Sequence, residues 1–247
     1  WYQLTFRVVA KGVERGEIRP MSDPDAVATV TVTPKAGGCP GIPTTFTVTV
    51  RPRATVSGIG NASYCNGAPG AAINFSSPAA GATFTWSSSA NVGFGPSGSG
   101  NIPAFTAANG GTSAQSATVT VTPSYGGCTG TSSTFNVVVN PTATVNTISN
   151  ASFCGGIPVG GTSFSSPSPG ASFSWTGSAN VGFGTSGSGN IGGYTTINSS
   201  TTQVVSTITV TPSVGGCAGT SKSFTVTVNP TPTVNSVSNA VYCNTNP

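Results

Sequence analysis

The sequence predicts an all-β protein built from copied β-sandwich modules strung in an extended array. Three observations carry that expectation. Cysteines, prolines and aromatics recur at a fixed interval; the apolar runs alternate with a period of two; and Gly, Pro, Asn and Ser fill the gaps between those runs.

The interval is 89 residues. Cys39, Cys128 and Cys217 keep it, as do Cys65, Cys154 and Cys243, Pro52, Pro141 and Pro230, Phe75 and Phe164, and Trp86 and Trp175. More than half of the positions in 52–140 are identical in 141–229. A strict repeat of this length marks a tandem of folded units. The expected organisation is 1–51 as the C-terminal part of a preceding, diverged module, 52–140 and 141–229 as complete repeats, and 230–247 as the start of another. The chain is expected to be a window on a longer array. "ATVTVTPKAGGCPGIPTTFTVTV" (28–50) copies the tail of a repeat, whereas residues 1–25 lack its glycine-rich stretch.

Within a repeat each apolar run alternates. "TVTVT" (118–122) sets Val119 and Val121 against Thr118, Thr120 and Thr122. "TFNVVVN" (134–140) and "SFTVTVN" (223–229) do the same with Phe135, Val137, Val139 and Phe224, Val226, Val228. "TFTW" (83–86) and "SFSW" (172–175) pair Phe84 with Trp86 and Phe173 with Trp175, so both tryptophans are expected in the core. This is the pattern of half-buried strands, and the intervening clusters break helices. Roughly seven short strands per repeat with a Trp on a central strand predicts an immunoglobulin-like sandwich. "RPR" (51–53) and "NPT" (140–142, 229–231) fall at the hand-over between modules, where proline stiffens a linker and keeps the array extended.

Charged residues make up 5% of the chain, where about 25% is usual, and Lys222 is the only one beyond Arg53. In the N-terminal segment Arg7, Lys11, Arg15 and Arg19 mix with Glu14, Glu17, Asp23 and Asp25 and balance them, so the net charge of +4 is left by Lys35, Arg51, Arg53 and Lys222. A mixed segment without interleaved aromatics does not track a nucleic-acid strand. No apolar run approaches the length of a membrane span.

Gly93-Phe-Gly95-Pro-Ser-Gly98 spells G-x-G-x-x-G, repeated at Gly182, Gly184 and Gly187. A dinucleotide cradle also needs a following helix and an acidic residue some 20 positions on. No helix pattern follows, and no Asp or Glu occurs beyond Asp25. The glycines are therefore expected to form a structural loop, with Val92, Phe94, Ile102 and Phe105, and Val181, Phe183, Ile191 and Tyr194, plugging into the core around it. Without histidine or paired carboxylates, neither nucleophilic nor acid–base catalysis has its groups. No catalytic residue, cofactor or metal is expected, although Asn91 or Asn101 with backbone carbonyls offers a weak calcium alternative.

The cysteines suit disulfides and an oxidising, extracellular compartment. If the first strand of a module runs its full length, Cys65 and Cys128 sit at opposite ends, about 30 Å apart, against an allowed Cα separation of about 6 Å. A staggered Cys65–Cys217 link then follows, with Cys128 pairing upstream and Cys154 downstream. If that strand is short and kinked, Cys65–Cys128 and Cys154–Cys217 remain open. Asn61, Asn74, Asn150 and Asn198 head N-glycosylation triplets that arise easily by chance in so Asn- and Ser-rich a chain.

The assembled pattern is "P-T-x-T-V … Y/F-C-x-G … F-S-S-P … F-x-W … VGFG-x-SGSGNI … TVTVTP … GGC-x-G-T … F-x-V-x-V-N-P". It resembles the PKD-like and immunoglobulin-like tandem repeats of very large surface proteins of Bacteroidota, including gliding-motility adhesins and other cargo of the type IX secretion system. The resemblance covers 28–247 and implies a secreted, non-catalytic stalk or adhesive filament at the cell surface. Its expected partners are neighbouring repeats, other copies side by side, or surface glycans. The alternative is an array of carbohydrate-binding modules, which would need Trp86 and Trp175 exposed.

Overall fold

The computed structural model describes residues 3–9, 25–241 and 243; Lys11, Glu14, Arg15, Glu17, Arg19, Asp23 and Tyr242 lie outside them. No helix occurs among the described residues. Two compact units divide the chain, residues 1–140 and 141–247.

In the first unit, β1 (Gln3–Val9), β2 (Ala26–Ala36), β3 (Cys39–Pro40) and β4 (Thr44–Val50) form one sheet in which β2 pairs with the other three. The remainder of the unit comprises β5 (Ala62–Cys65), β6 (Pro69–Gly70), β7 (Thr83–Ser88), β8 (Ser97–Ser99), β9 (Phe105–Thr106), β10 (Gln115–Tyr125), β11 (Cys128–Thr129) and β12 (Ser133–Asn140). Its large sheet has the order β5-β12-β10-β7-β8, with β11 folded back on β10. The second layer is slight: the β6–β9 ribbon and single bridges at Ser57–Ser76 and Ile73–Ile102. Glycine- and proline-rich segments make that layer mostly loop, since they cannot sustain a ladder.

Period-two alternation sorts the sheet into two faces. Val119, Val121, Val137 and Val139 are fully buried, and Phe135 is nearly so. Across the core they meet Phe75, Val92, Ile102 and Ala107. The second unit repeats the design as β13 (Ala151–Cys154), β14 (Pro158–Val159), β15 (Ser172–Gly177), β16 (Ser186–Ser188), β17 (Tyr194–Thr195), β18 (Val204–Val214), β19 (Cys217–Ala218) and β20 (Lys222–Asn229), with sheet order β13-β20-β18-β15-β16. The counterpart face on β4 differs. Phe46 and Val48 match Phe135 and Val137 but are 51% and 42% exposed, because no second layer among the described residues covers β2–β4.

The first strand of each module runs parallel to the last. Ala62 lies beside Val137 and Cys65 beside Asn140; Ala151 lies beside Val226 and Cys154 beside Asn229. This register decides where the sulfurs sit.

Candidate functional site

The G-x-G-x-x-G stretch is the most conspicuous candidate, and its glycines and Phe94 serve the fold. Val92 is fully buried. The Asn91 side-chain oxygen accepts hydrogen bonds from the backbone N–H of Gly93 and of Gly95, both at 3.0 Å, closing a compact Asx-type loop. Gly93 has φ +124, and a Cβ there would lie 2.0 Å from the carbonyl oxygen of Thr106. Only glycine permits that approach.

Phe94 then turns inward, edge-on to Trp86 at 5.7 Å and to Phe105 at 5.0 Å. Gly98 lies against the indole, since a Cβ would stand 2.5 Å from Cζ2 of Trp86. Asn101 closes the loop by accepting a 2.9 Å hydrogen bond from the Phe75 N–H. The second copy reproduces the arrangement with Asn180, Gly182, Phe183, Gly187 and Asn190. The last glycine, Gly98, lies within the short strand Ser97–Ser99 and no helix follows it, so no helix terminus faces a phosphate. The side-chain oxygens of Asn91 and Asn101, the weak calcium alternative, are engaged with backbone N–H groups. Among the described residues no group of three or more His, Cys, Asp or Glu could hold a metal ion, and no helix is long and apolar enough to cross a membrane.

Trp86 and Trp175 are each 6% exposed, and both indole N–H groups are buried with no hydrogen-bond partner. The rings serve as apolar bulk in an aromatic stack that continues through Phe105 to Tyr64 at 5.4 Å. They present no platform for a sugar ring, which removes the feature the carbohydrate-binding alternative required.

Cys65 and Cys217 are disulfide-bonded, whereas Cys39, Cys128, Cys154 and Cys243 are free and exposed. Within one module, Cys65 stands level with Asn140 at one end of the large sheet. Cys128 stands across from Tyr125, some ten strand positions beyond Gln115, the partner of Val139. At about 3.3 Å per residue the two are about 30 Å apart, so a link within the module is impossible. The Cys65–Cys128 and Cys154–Cys217 alternative is thereby corrected: β5 is short, but it ends beside the last residue of β12.

Several supporting side chains carry little signal in the sequence. The Asn109 side-chain amide donates to the carbonyls of Ser113 and Val139 at 2.9 and 2.7 Å. Asn198 does the same with Thr202 and Val228 at 2.9 and 2.7 Å. Both N–H bonds of Asn198 are therefore occupied. Their recurrence 89 residues apart was the available clue. Tyr194 replaces Phe105 at the end of the aromatic stack, and burial pushes its phenol above the ordinary value of 10.0.

Residues 153–232 match the family model of the PKD-like domain. Among solved structures, the chain is similar to protocadherin gamma B2 extracellular cadherin domains 3–6, with 13% identity over 93% of this chain and 68% of that one and a TM-score of 0.41. It is similar to Drosophila N-cadherin domains EC1–4 at 11% identity, covering 94% of this chain and 67% of that one, with a TM-score of 0.39. It is also similar to Sidekick-1 immunoglobulin domains 1–5 at 12% identity, covering 92% of this chain but 52% of that one, with a TM-score of 0.34. No curated protein matches the sequence.

Proposed function

We propose that this chain is a non-catalytic, load-bearing segment of a secreted surface adhesin or filament. PKD-like repeats follow one another in it as closely similar bricks, and the parent protein belongs with the gliding and attachment adhesins of Bacteroidota. The observation that carries this reading is the use of the conspicuous loop's glycines, Phe94 and flanking asparagines by the fold. Asn91, Gly93, Phe94, Gly98 and Asn101 all serve packing or turn closure, in both copies. A chain without histidine and with four acidic residues confined to positions 14–25 offers no general base beside a nucleophile. The match over 153–232 supports the repeat itself. The finer assignment, to gliding and type IX export, rests on the sequence resemblance.

Sulfur supplies the mechanical part of the proposal. The register against links inside a module supports pairing the two bonded cysteines with each other, Cys65 with Cys217. A covalent path then runs past most of both complete repeats, and an oxidising extracellular location follows. By the same logic each further module would be stapled to its neighbour, Cys128 and Cys154 being the positions equivalent to Cys217 and Cys65.

Small-angle scattering on this chain and on one lengthened by a single 89-residue repeat tests the array. The maximum dimension is expected to grow by about 35 Å per repeat, a strand length plus its turns. A particle that thickens without lengthening would refute the stalk.

A further inference from the structure

The central part of the outer face of each large sheet is a grid of hydroxyls with no charge on it, bordered by Asn136 and Val138 in the first module and the exposed Val205 in the second. Register places Ser97, Ser87, Thr120 and Thr134 side by side across four strands. One step along lie Ser99, Thr85, Thr122 and, just before β12, Ser132. The second module has the same two rows, from Ser186 and Ser188 across to Ser223 and Ser221. The four positions in the strands bordering the grid are exposed in both modules, and the central threonines Thr120, Thr122, Thr209 and Thr211 are half-buried.

Neighbouring hydroxyls lock one another in place. Thr122 pairs with Ser132 at 2.9 Å, Thr209 with Ser223 at 2.9 Å and Thr211 with Ser221 at 2.8 Å. The grid is therefore ordered before it meets anything, which lowers the entropy cost of binding.

Copying adds a second observation. Three of the eight grid positions differ between modules: Ser87 becomes Thr176, Thr85 becomes Ser174 and Thr134 becomes Ser223. Every change exchanges Ser and Thr. The methyl is dispensable at these positions and the hydroxyl is retained, so the face is suited to an uncharged hydrogen-bonding partner rather than to an apolar one. A glycan would want an exposed ring to stack on, and alternation sends the sheet's aromatics to the opposite face. A hydroxyl, by contrast, is at once donor and acceptor, which makes the grid complementary to itself. No like charge opposes the approach of a second copy.

We infer that this hydroxyl face is a self-association surface on which a second copy of the chain docks. The inference deepens the filament reading by naming the surface and the partner. Because the grid recurs every 89 residues, weak contacts add along an array.

The test uses the whole oxidised chain with its free thiols capped by iodoacetamide, in sedimentation velocity over a concentration series. Reversible self-association is expected, and it should persist in 1 M NaCl because no ion pair contributes. The double variant Thr120→Glu/Thr209→Glu should weaken association by at least about tenfold while its circular dichroism and melting stay near those of the parent. The double variant Thr120→Ser/Thr209→Ser, which keeps the hydroxyls, should associate normally and guards against a folding artefact. A monomer at all concentrations would overturn the inference. So would association that survives the Glu variant, which would place contact elsewhere, for instance on the exposed Phe46 and Val48. Binding of soluble neutral β-glucan by a monomeric chain, lost in the Glu variant, would assign the face to glycans instead. A failed test here leaves the length increment per repeat untouched, so the two readings fail separately.

Discussion

Gly98→Ala is the most discriminating single substitution. The new Cβ would lie 2.5 Å from Cζ2 and 2.7 Å from Cε2 of Trp86, where carbon atoms rest about 3.5–4.0 Å apart. The ring must retreat by roughly 1 Å, and it is hemmed in by Phe94 at 5.7 Å. Gly98 does not have a positive φ, so the cost is contact alone. Overpacking of this kind costs about 1–3 kcal/mol. Gly95→Ala is the matched control: φ is +89 and nothing stands within 4 Å of the new Cβ. It should cost about 1–2 kcal/mol in backbone conformation and leave the indole alone. The assay is urea unfolding together with acrylamide quenching of Trp86 fluorescence in a Trp1→Phe/Trp175→Phe background, which leaves Trp86 as the one tryptophan. Gly98→Ala should unfold at lower urea and expose the indole, whereas Gly95→Ala should only destabilise. If Gly98→Ala keeps both the parent midpoint and the parent quenching, the packing account of the glycine motif is wrong.

Other outcomes follow from the same geometry. Asn91→Ala removes the acceptor of two backbone N–H bonds and should cost about 1–2 kcal/mol in chemical unfolding; Asn180→Ala should match it in the second module. If the proposed Cys65–Cys217 link closes a loop of roughly 150 residues, Cys65→Ser should lower stability by up to about 5 kcal/mol. Cys128→Ser, at an exposed free thiol, should stay within about 0.5 kcal/mol of the parent. Burial raises the Tyr194 phenol, so folding favours its neutral form. That contribution is intact below the unfolded value near pH 10 and is lost as pH climbs through the raised one. Thermal melts between about pH 9 and pH 12 should show Tyr194→Phe flattening the alkaline decline.

Much of this was legible in the sequence because the brick is written twice. Period-two runs such as "TVTVT" located β10, and the Thr side chains locate its outer face. The glycine loop could be recognised as scaffold from what it lacked, a helix and an acid. What composition could not convey was how thin the second layer is, since bridges such as Ile73–Ile102 depend on residues brought together only by the loop. The roles of Asn109 and Asn198 were equally hidden: an amide substituting for a missing strand partner looks, in sequence, like any loop asparagine. The sulfur question turned on one register, Cys65 beside Asn140, and strand register between distant segments is not readable from a single chain.

The central claim is that paired repeats carry load through sulfur rather than through chemistry, and pulling a single chain by its ends tests it most directly. The proposed Cys65–Cys217 link would shield residues 66–216, so extension should show no release of that segment under oxidising conditions. Adding a reductant should free roughly 150 residues, an extra contour length of about 500 Å, appearing as the unfolding of two β modules. Full-length extension without reductant would show that no staple spans the modules, and the account would fail.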